Sequence, residues 1–126
     1  MGARRHDVIA RALLALAVLV LADSVLAAKP SATPNRFGAI AYHRVSQSWG
    51  VAYDTARARD ANVAALKQCG EKECVVVHRF KNGCAALAAG PKTFAAASGA
   101  TRDEAETKAL KRCGAGCSAL AWGCTR

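Results

Sequence analysis

The sequence predicts an α+β fold made of two ββαβ units, with two helices packed on antiparallel or mixed sheet and disulfides as staples. Three observations predict it. Residues 57–70 repeat as 101–114, with Ala61/Ala105, Ala65/Ala109, Leu66/Leu110, Lys67/Lys111, Cys69/Cys113 and Gly70/Gly114 identical. Six matches in fourteen positions, Cys and Gly among them, mark a duplicated unit. Strand-like runs flank each helical segment. Six cysteines follow an export-type amino terminus, and an even count in a small exported domain reads as three disulfides.

In chain order, Arg4, Arg5 and Arg11 precede an apolar run from Ala12 to Ala22, and the small residues Val25-Leu26-Ala27-Ala28 follow. This is the layout of a secretory signal peptide over residues 1–27, cleaved after Ala27 or Ala28. Eleven unbroken apolar residues fall short of the roughly 20 a bilayer span requires, and Asp23 stops any extension, so no stable membrane anchor is expected after cleavage. No cysteine precedes Cys69, which excludes a lipidated terminus, and His6-Asp7-Val8 after Arg4-Arg5 favours the general secretory route over the twin-arginine one. The expected destination is the periplasm or the medium. Residues 28–36 hold two of the three prolines and no large apolar side chain, and read as a flexible leader. The secreted domain is expected over 37–126, as pseudo-repeats 37–84 and 85–126.

The first repeat opens with strand-like runs Gly38–His43 and Trp49–Asp54 about a polar Val45–Ser48 turn. A helix follows over 57–69, with Ala58, Ala61, Ala65, Leu66 and Cys69 near one face and Gly70 as its carboxyl-terminal cap. Cys74–Phe80 is β-branched and forms the third strand, closed by a Lys81-Asn82-Gly83 turn. The second repeat places strands at Ala85–Ala89 and Phe94–Ser98 about Gly90-Pro91-Lys92. A helix then runs from Thr101 to Cys113, and a last strand from Cys117 to Gly123. Thr101 and Glu104 make a capping box, and Lys108, Lys111 and Arg112 complement the helix dipole.

Pseudo-symmetry favours the pairings Cys69–Cys74, Cys113–Cys117 and Cys84–Cys124, although a crossed set containing Cys74–Cys84 is also open. Structural zinc favours tighter C-x2-C knuckles than the C-x4-C and C-x3-C spacings here, so neither a metal site nor a cofactor is expected.

The chain carries 18 basic against 9 acidic residues, and removal of residues 1–27 changes the net charge only from +9 to +8. The basicity belongs to the folded domain and favours anionic partners. Arg57, Arg59, Lys67, Lys108, Lys111 and Arg112 are the candidate anionic-ligand surface. The aromatics Tyr42, Trp49, Tyr53, Phe80, Phe94 and Trp122 are expected mostly in strand cores, which leaves too little stacking surface for specific nucleic-acid binding. Paired cysteines leave no nucleophilic thiol. Ser46, Ser48, Ser98 and Ser118 lie outside any G-x-S-x-G elbow, Asp54 and Asp60 flank a helix start, and Asp103, Glu104 and Glu106 sit in a first helical turn. His43 and His78 read as strand residues.

The runs Phe37-Gly38-Ala39-Ile40-Ala41-Tyr42, Trp49-Gly50, Cys69-Gly70, Cys74-Val75-Val76-Val77 and Ala121-Trp122-Gly123-Cys124 carry a resemblance. Over residues 37–126 the chain resembles a bacterial family of small secreted or periplasmic proteins catalogued as a domain of unknown function. The resemblance implies export, disulfides, a fused-repeat α+β domain and a binding module, with no catalytic residues to carry over. The expected function is therefore a secreted, non-enzymatic binding module. Its partner would be an envelope component, a host factor or a toxin. The alternative is a small envelope hydrolase using His43 or His78 with a nearby carboxylate.

Overall fold

The computed structural model describes residues 33–126; the expected signal peptide and residues 28–32 of the leader lie outside the described residues. The elements run β1 (Phe37–Tyr42), β2 (Trp49–Thr55), α1 (Ala58–Cys69), β3 (Val75–Lys81), β4 (Cys84–Ala89), β5 (Phe94–Gly99), α2 (Arg102–Cys113) and β6 (Ser118–Cys124). They form two three-stranded antiparallel sheets, ordered β2-β1-β3 and β5-β4-β6. The first strand of each unit is central. Its hairpin partner takes one edge, and the helix carries the chain back over the sheet to the other. Cys84 opens β4, one residue before the expected strand start at Ala85. The duplication extends to matched bulges. The β1–β3 register steps past Val77, and the β4–β6 register steps past Leu120. Both extra residues pack on the core between the sheets.

The central strands are buried on both faces, which makes four layers in the order α1, sheet, sheet, α2. Ile40 and Tyr42 of β1 meet Ala85, Leu87 and Ala89 of β4 between the sheets, with Val51, Phe80 and Ala121 around them. On the outer side of the first sheet, Ala39, Ala41 and Ala52 pack on Ala61, Ala65 and Cys69 of α1. Ala86, Ala88 and Ala97 pack likewise on Ala105, Ala109 and Cys113 of α2. The alanine-rich composition thus serves two close helix–sheet contacts. At Gly50 the approach is so tight that a Cβ would stand 2.1 Å from the Ala65 carbonyl oxygen. The buried stripe of α1 is correspondingly narrow. Ala58 and Leu66, expected on it, are exposed, because a helix seated this low turns the neighbouring positions outward.

Gly70 ends α1 in the left-handed conformation at φ 76°. Thr101 caps α2 by accepting the Glu104 N–H at 3.2 Å. Glu104 reaches back to the Ala100 N–H at 3.0 Å, one residue beyond the usual capping-box partner. The three disulfides are Cys69–Cys74, Cys84–Cys124 and Cys113–Cys117, so the crossed set is not formed. Cys84 and Cys124 face each other on neighbouring strands of the second sheet. Three disulfides suit a chain that folds in an oxidising, extracytoplasmic environment. Among the described residues no helix is long and apolar enough to cross a membrane.

Candidate functional site

The cations singled out from sequence are not brought together. Arg57 immediately precedes α1 and Arg59 and Lys67 lie in it, whereas Lys108, Lys111 and Arg112 belong to α2, and the two sheets separate these helices. Lys108 is engaged with Glu104 at 2.8 Å, and Arg112 Nη1 reaches the Ala96 carbonyl at 3.4 Å. The six cations thus lie on two separate helix faces.

Both candidate histidines, His43 and His78, meet serines. Ser46 Oγ lies 2.8 Å from His43 Nδ1, and the Ser46 N–H donates to the same nitrogen at 3.0 Å. Glu73 Oε2 approaches His43 Nε2 at 3.4 Å. Ser48 donates to Glu71 at 2.7 Å, and this bond, with a further one from Ser46, holds the Glu71 carboxyl below its ordinary pKa. The cluster ties the β1–β2 turn to the loop between α1 and β3. His78 Nε2 lies 2.6 Å from Ser98 Oγ across the β3–β5 seam. Burial lowers the His78 pKa and the Arg112 charge lowers it further, so the ring is neutral at pH 7. The charge that acts on the ring is the Arg112 cation and not an acid.

The aromatics supply what the charges do not. Tyr42 and Phe80 are buried and Phe94 partly so, but Trp49, Tyr53 and Trp122 are 40%, 56% and 44% exposed, against the expectation of strand cores. On β6 the bulge at Leu120 shifts the side-chain alternation, so Ala121 faces the core and Trp122 faces outward beside α2. On β2, Tyr53 shares a face with Val51 but lies at the sheet edge, where the β1–β2 register breaks and Asp54 takes φ 56°. Tyr53 rests over Gly123 of β6, where a Cβ would come within 3.3 Å of Tyr53 Cδ1.

Trp122 therefore stands between two open hollows at one end of the strands. One, of about 540 Å³, is bounded by Tyr53, Asp54, Gly123 and Arg126. The other, of about 460 Å³, lies between the β3–β4 turn at Asn82-Gly83 and the start of α2 at Thr101-Arg102. Arg102 stacks its guanidinium on the indole at 4.2 Å from the ring centroid, with its Nε held by Glu106 at 2.8 Å. Asp54 Oδ1 accepts the Arg126 N–H at 2.8 Å and holds the end of the groove in place. Two half-exposed rings, one with the Arg102 guanidinium stacked on it, can take a flat ring face and an anionic substituent together. Sequence reasoning assigned Tyr53 and Trp122 to strand cores and did not single out Asp54, Arg102 or Arg126 as site residues; a Gly directly after Trp122 was the available signal that another side chain lies against that strand.

Comparison with known proteins agrees with this architecture. Protein Rv1269c of Mycobacterium tuberculosis (strain ATCC 25618 / H37Rv) is 35% identical over 80 residues, which is 64% of this chain and 63% of that protein. Uncharacterized protein Rv1813c of the same organism is 36% identical over 88 residues, 70% of this chain and 59% of that protein. The chain thus matches less than two thirds of the length of either relative. The NMR structure of Rv1813c is similar with a TM-score of 0.59 at 34% identity, covering 79% of this chain and 80% of that one. Residues 37–124 match the family described as Domain of unknown function (DUF4189), and the chain belongs to that family.

Proposed function

We propose that the protein is an extracytoplasmic, non-enzymatic binding module that holds its ligand in the groove on either side of Trp122. The observation that carries this reading is the pair of half-exposed rings, Tyr53 and Trp122, with Arg102 stacked on the indole. The signal-peptide layout of residues 1–27 and the three disulfides support an exported protein. The ligand chemistry that fits is a planar or ring-faced group bearing a carboxylate or other anion, as an acidic envelope saccharide presents. Calorimetric titration with soluble peptidoglycan fragments tests it. Binding is expected to weaken by at least about tenfold in Trp122→Ala and in Arg102→Gln, the scale of a lost interface anchor. Equal affinity in wild type and both variants would refute it.

The second reading is a small hydrolase, favoured by Ser46, His43 and Glu73 lying in hydrogen-bonding sequence. Against it, the Ser46 N–H and hydroxyl both point at one nitrogen, as in a turn that caps the ring, and Ser46 also bonds Ser48 at 3.0 Å. Ester turnover abolished by Ser46→Ala and His43→Ala alike would establish the hydrolase. Turnover indistinguishable from that of the double variant would remove it.

A further inference from the structure

At the opposite end of the strands from Trp122, the β1–β2 and β4–β5 turns of the two repeats meet. Tyr42 ends β1 and Phe94 opens β5, and their rings are 5.0 Å apart between centroids. The Arg44 guanidinium lies over the Phe94 ring at 5.4 Å. The facing turn, Gly90 to Thr93, closes on a Gly90 N–H to Thr93 carbonyl bond of 2.8 Å, and Gln47 Nε2 bridges the two turns by donating to the Gly90 carbonyl at 3.4 Å. Between them is a cleft of about 80 Å³, bordered by Tyr42, Arg44, Lys92 and Thr93. A water occupies about 30 Å³ of liquid, so the cleft has room for two or three waters or one compact polyatomic ion.

The charge there is uncompensated. Among the described residues the ion pairs use His43, Arg102 and Lys108, and neither Arg44 nor Lys92 has a carboxylate partner. Two cations on facing turns flank one small polar cavity, and one of them is positioned beforehand by an aromatic ring. A stacked guanidinium loses little freedom on binding and presents a fork that suits phosphate and carboxylate oxygens. Burial raises the Tyr42 pKa, with the Arg44 charge acting the other way, so the phenol is a neutral O–H donor at physiological pH.

We propose that this cleft binds a single compact oxyanion, a phosphate group, between Arg44 and Lys92. The site is separate from the Trp122 groove and does not depend on what that groove binds. It joins one turn of each repeat, so the duplication itself creates it. The phosphate could belong to a soluble phosphorylated molecule or to a lipid headgroup, and the shared chemistry is the anion.

The test is titration of inorganic phosphate into isotopically labelled protein at constant ionic strength, followed by amide and arginine side-chain shifts. Saturable shifts confined to residues 42–47 and 90–94 are expected, with a dissociation constant in the range of about 1 mM. Arg44→Gln and Lys92→Gln should each weaken binding by about tenfold or more, and Arg44→Lys should fall between them and wild type, because it keeps the charge but loses the fork. Lys67→Gln on α1 and Trp122→Ala should leave the titration unchanged. Glycerol phosphate and phosphatidylglycerol vesicles in the same assay separate the two sources: tighter binding to the first assigns a soluble ligand, and tighter binding to the second a membrane. No saturation by about 100 mM phosphate, or shifts that Arg44→Gln and Lys92→Gln leave intact, would overturn the proposal.

Discussion

Removing the Cys84–Cys124 bond should cost about twice what removing either local bond costs. The three disulfides close loops of very different length, with sequence separations of 40 for Cys84–Cys124, 5 for Cys69–Cys74 and 4 for Cys113–Cys117. On the chain-entropy relation, restricting the unfolded chain contributes about 4 kcal/mol for the first and about 2 kcal/mol for each of the others at 25 °C. The paired substitution Cys84→Ala with Cys124→Ala leaves alanine at positions already packed among Ala86, Ala88, Ala97, Ala105 and Ala109, so packing changes little. Urea unfolding followed by circular dichroism, with linear extrapolation, reads the difference directly. The melting temperature of this pair should fall by roughly 15–30 °C, since about 1 kcal/mol corresponds to about 4–8 °C in a domain of this size. Cys113→Ala with Cys117→Ala should lose about half as much. A local pair costing as much as Cys84–Cys124 would show that the sulfurs act through native packing, and would refute the loop-closure reasoning.

Gly50→Ala should destabilise by about 1–3 kcal/mol, because its Cβ would stand 2.1 Å from the Ala65 carbonyl oxygen and 2.6 Å from the Cys69 nitrogen, and both are helix backbone. An unchanged urea midpoint would show that α1 sits higher on its sheet. Thr101→Ala should cost about 1 kcal/mol by freeing the Glu104 N–H, again read as a urea midpoint. Stability should also fall on acidification in two steps. The His78 pKa is lowered from 6.5 in the folded protein, so below about pH 6.5 the unfolded chain binds more protons and unfolding is favoured. Glu71 and Glu104 are likewise lowered from 4.5, which adds a second loss below about pH 4.5. His78→Gln should remove the upper step from a series of urea midpoints between pH 8 and pH 4. A midpoint that rises between pH 7 and pH 5 would contradict the assignment.

The helices and their caps were legible because each has a local signature, and the favoured cysteine pairing rested on the repeat, which left a crossed set open until the bonds were seen. The Ala61/Ala65/Cys69 and Ala105/Ala109/Cys113 stripes repeat at helical spacing, Gly follows each, and Thr101 stands three residues before Glu104. The stacking of two sheets was not legible. Runs such as Ala39-Ile40-Ala41-Tyr42 and Ala85-Ala86-Leu87-Ala88 are apolar on both faces, which announces burial but not which face meets a helix and which meets the other sheet. That undetermined choice also hid the separation of the α1 and α2 cations. The groove was missed for a more local reason. Simple alternation along β6 cannot show the extra residue at Leu120, and the break at Tyr53-Asp54 depends on how β2 pairs with β1. Both are properties of strand register, set by tertiary packing. The Arg44 cleft needs two turns, from positions 43–48 and 90–93, to meet through Gln47 and Gly90, and nothing in either turn announces the other.

Whether ligand recognition is concentrated around Trp122 is read out by amide and indole shift mapping during titration with soluble peptidoglycan fragments. Saturable shifts are expected at the Trp122 indole, Tyr53 and Arg102, with the outward faces of α1 and α2 unmoved. Shifts centred on Arg57, Arg59 and Lys67 or on Lys108, Lys111 and Arg112, with Trp122 silent, would contradict that expectation.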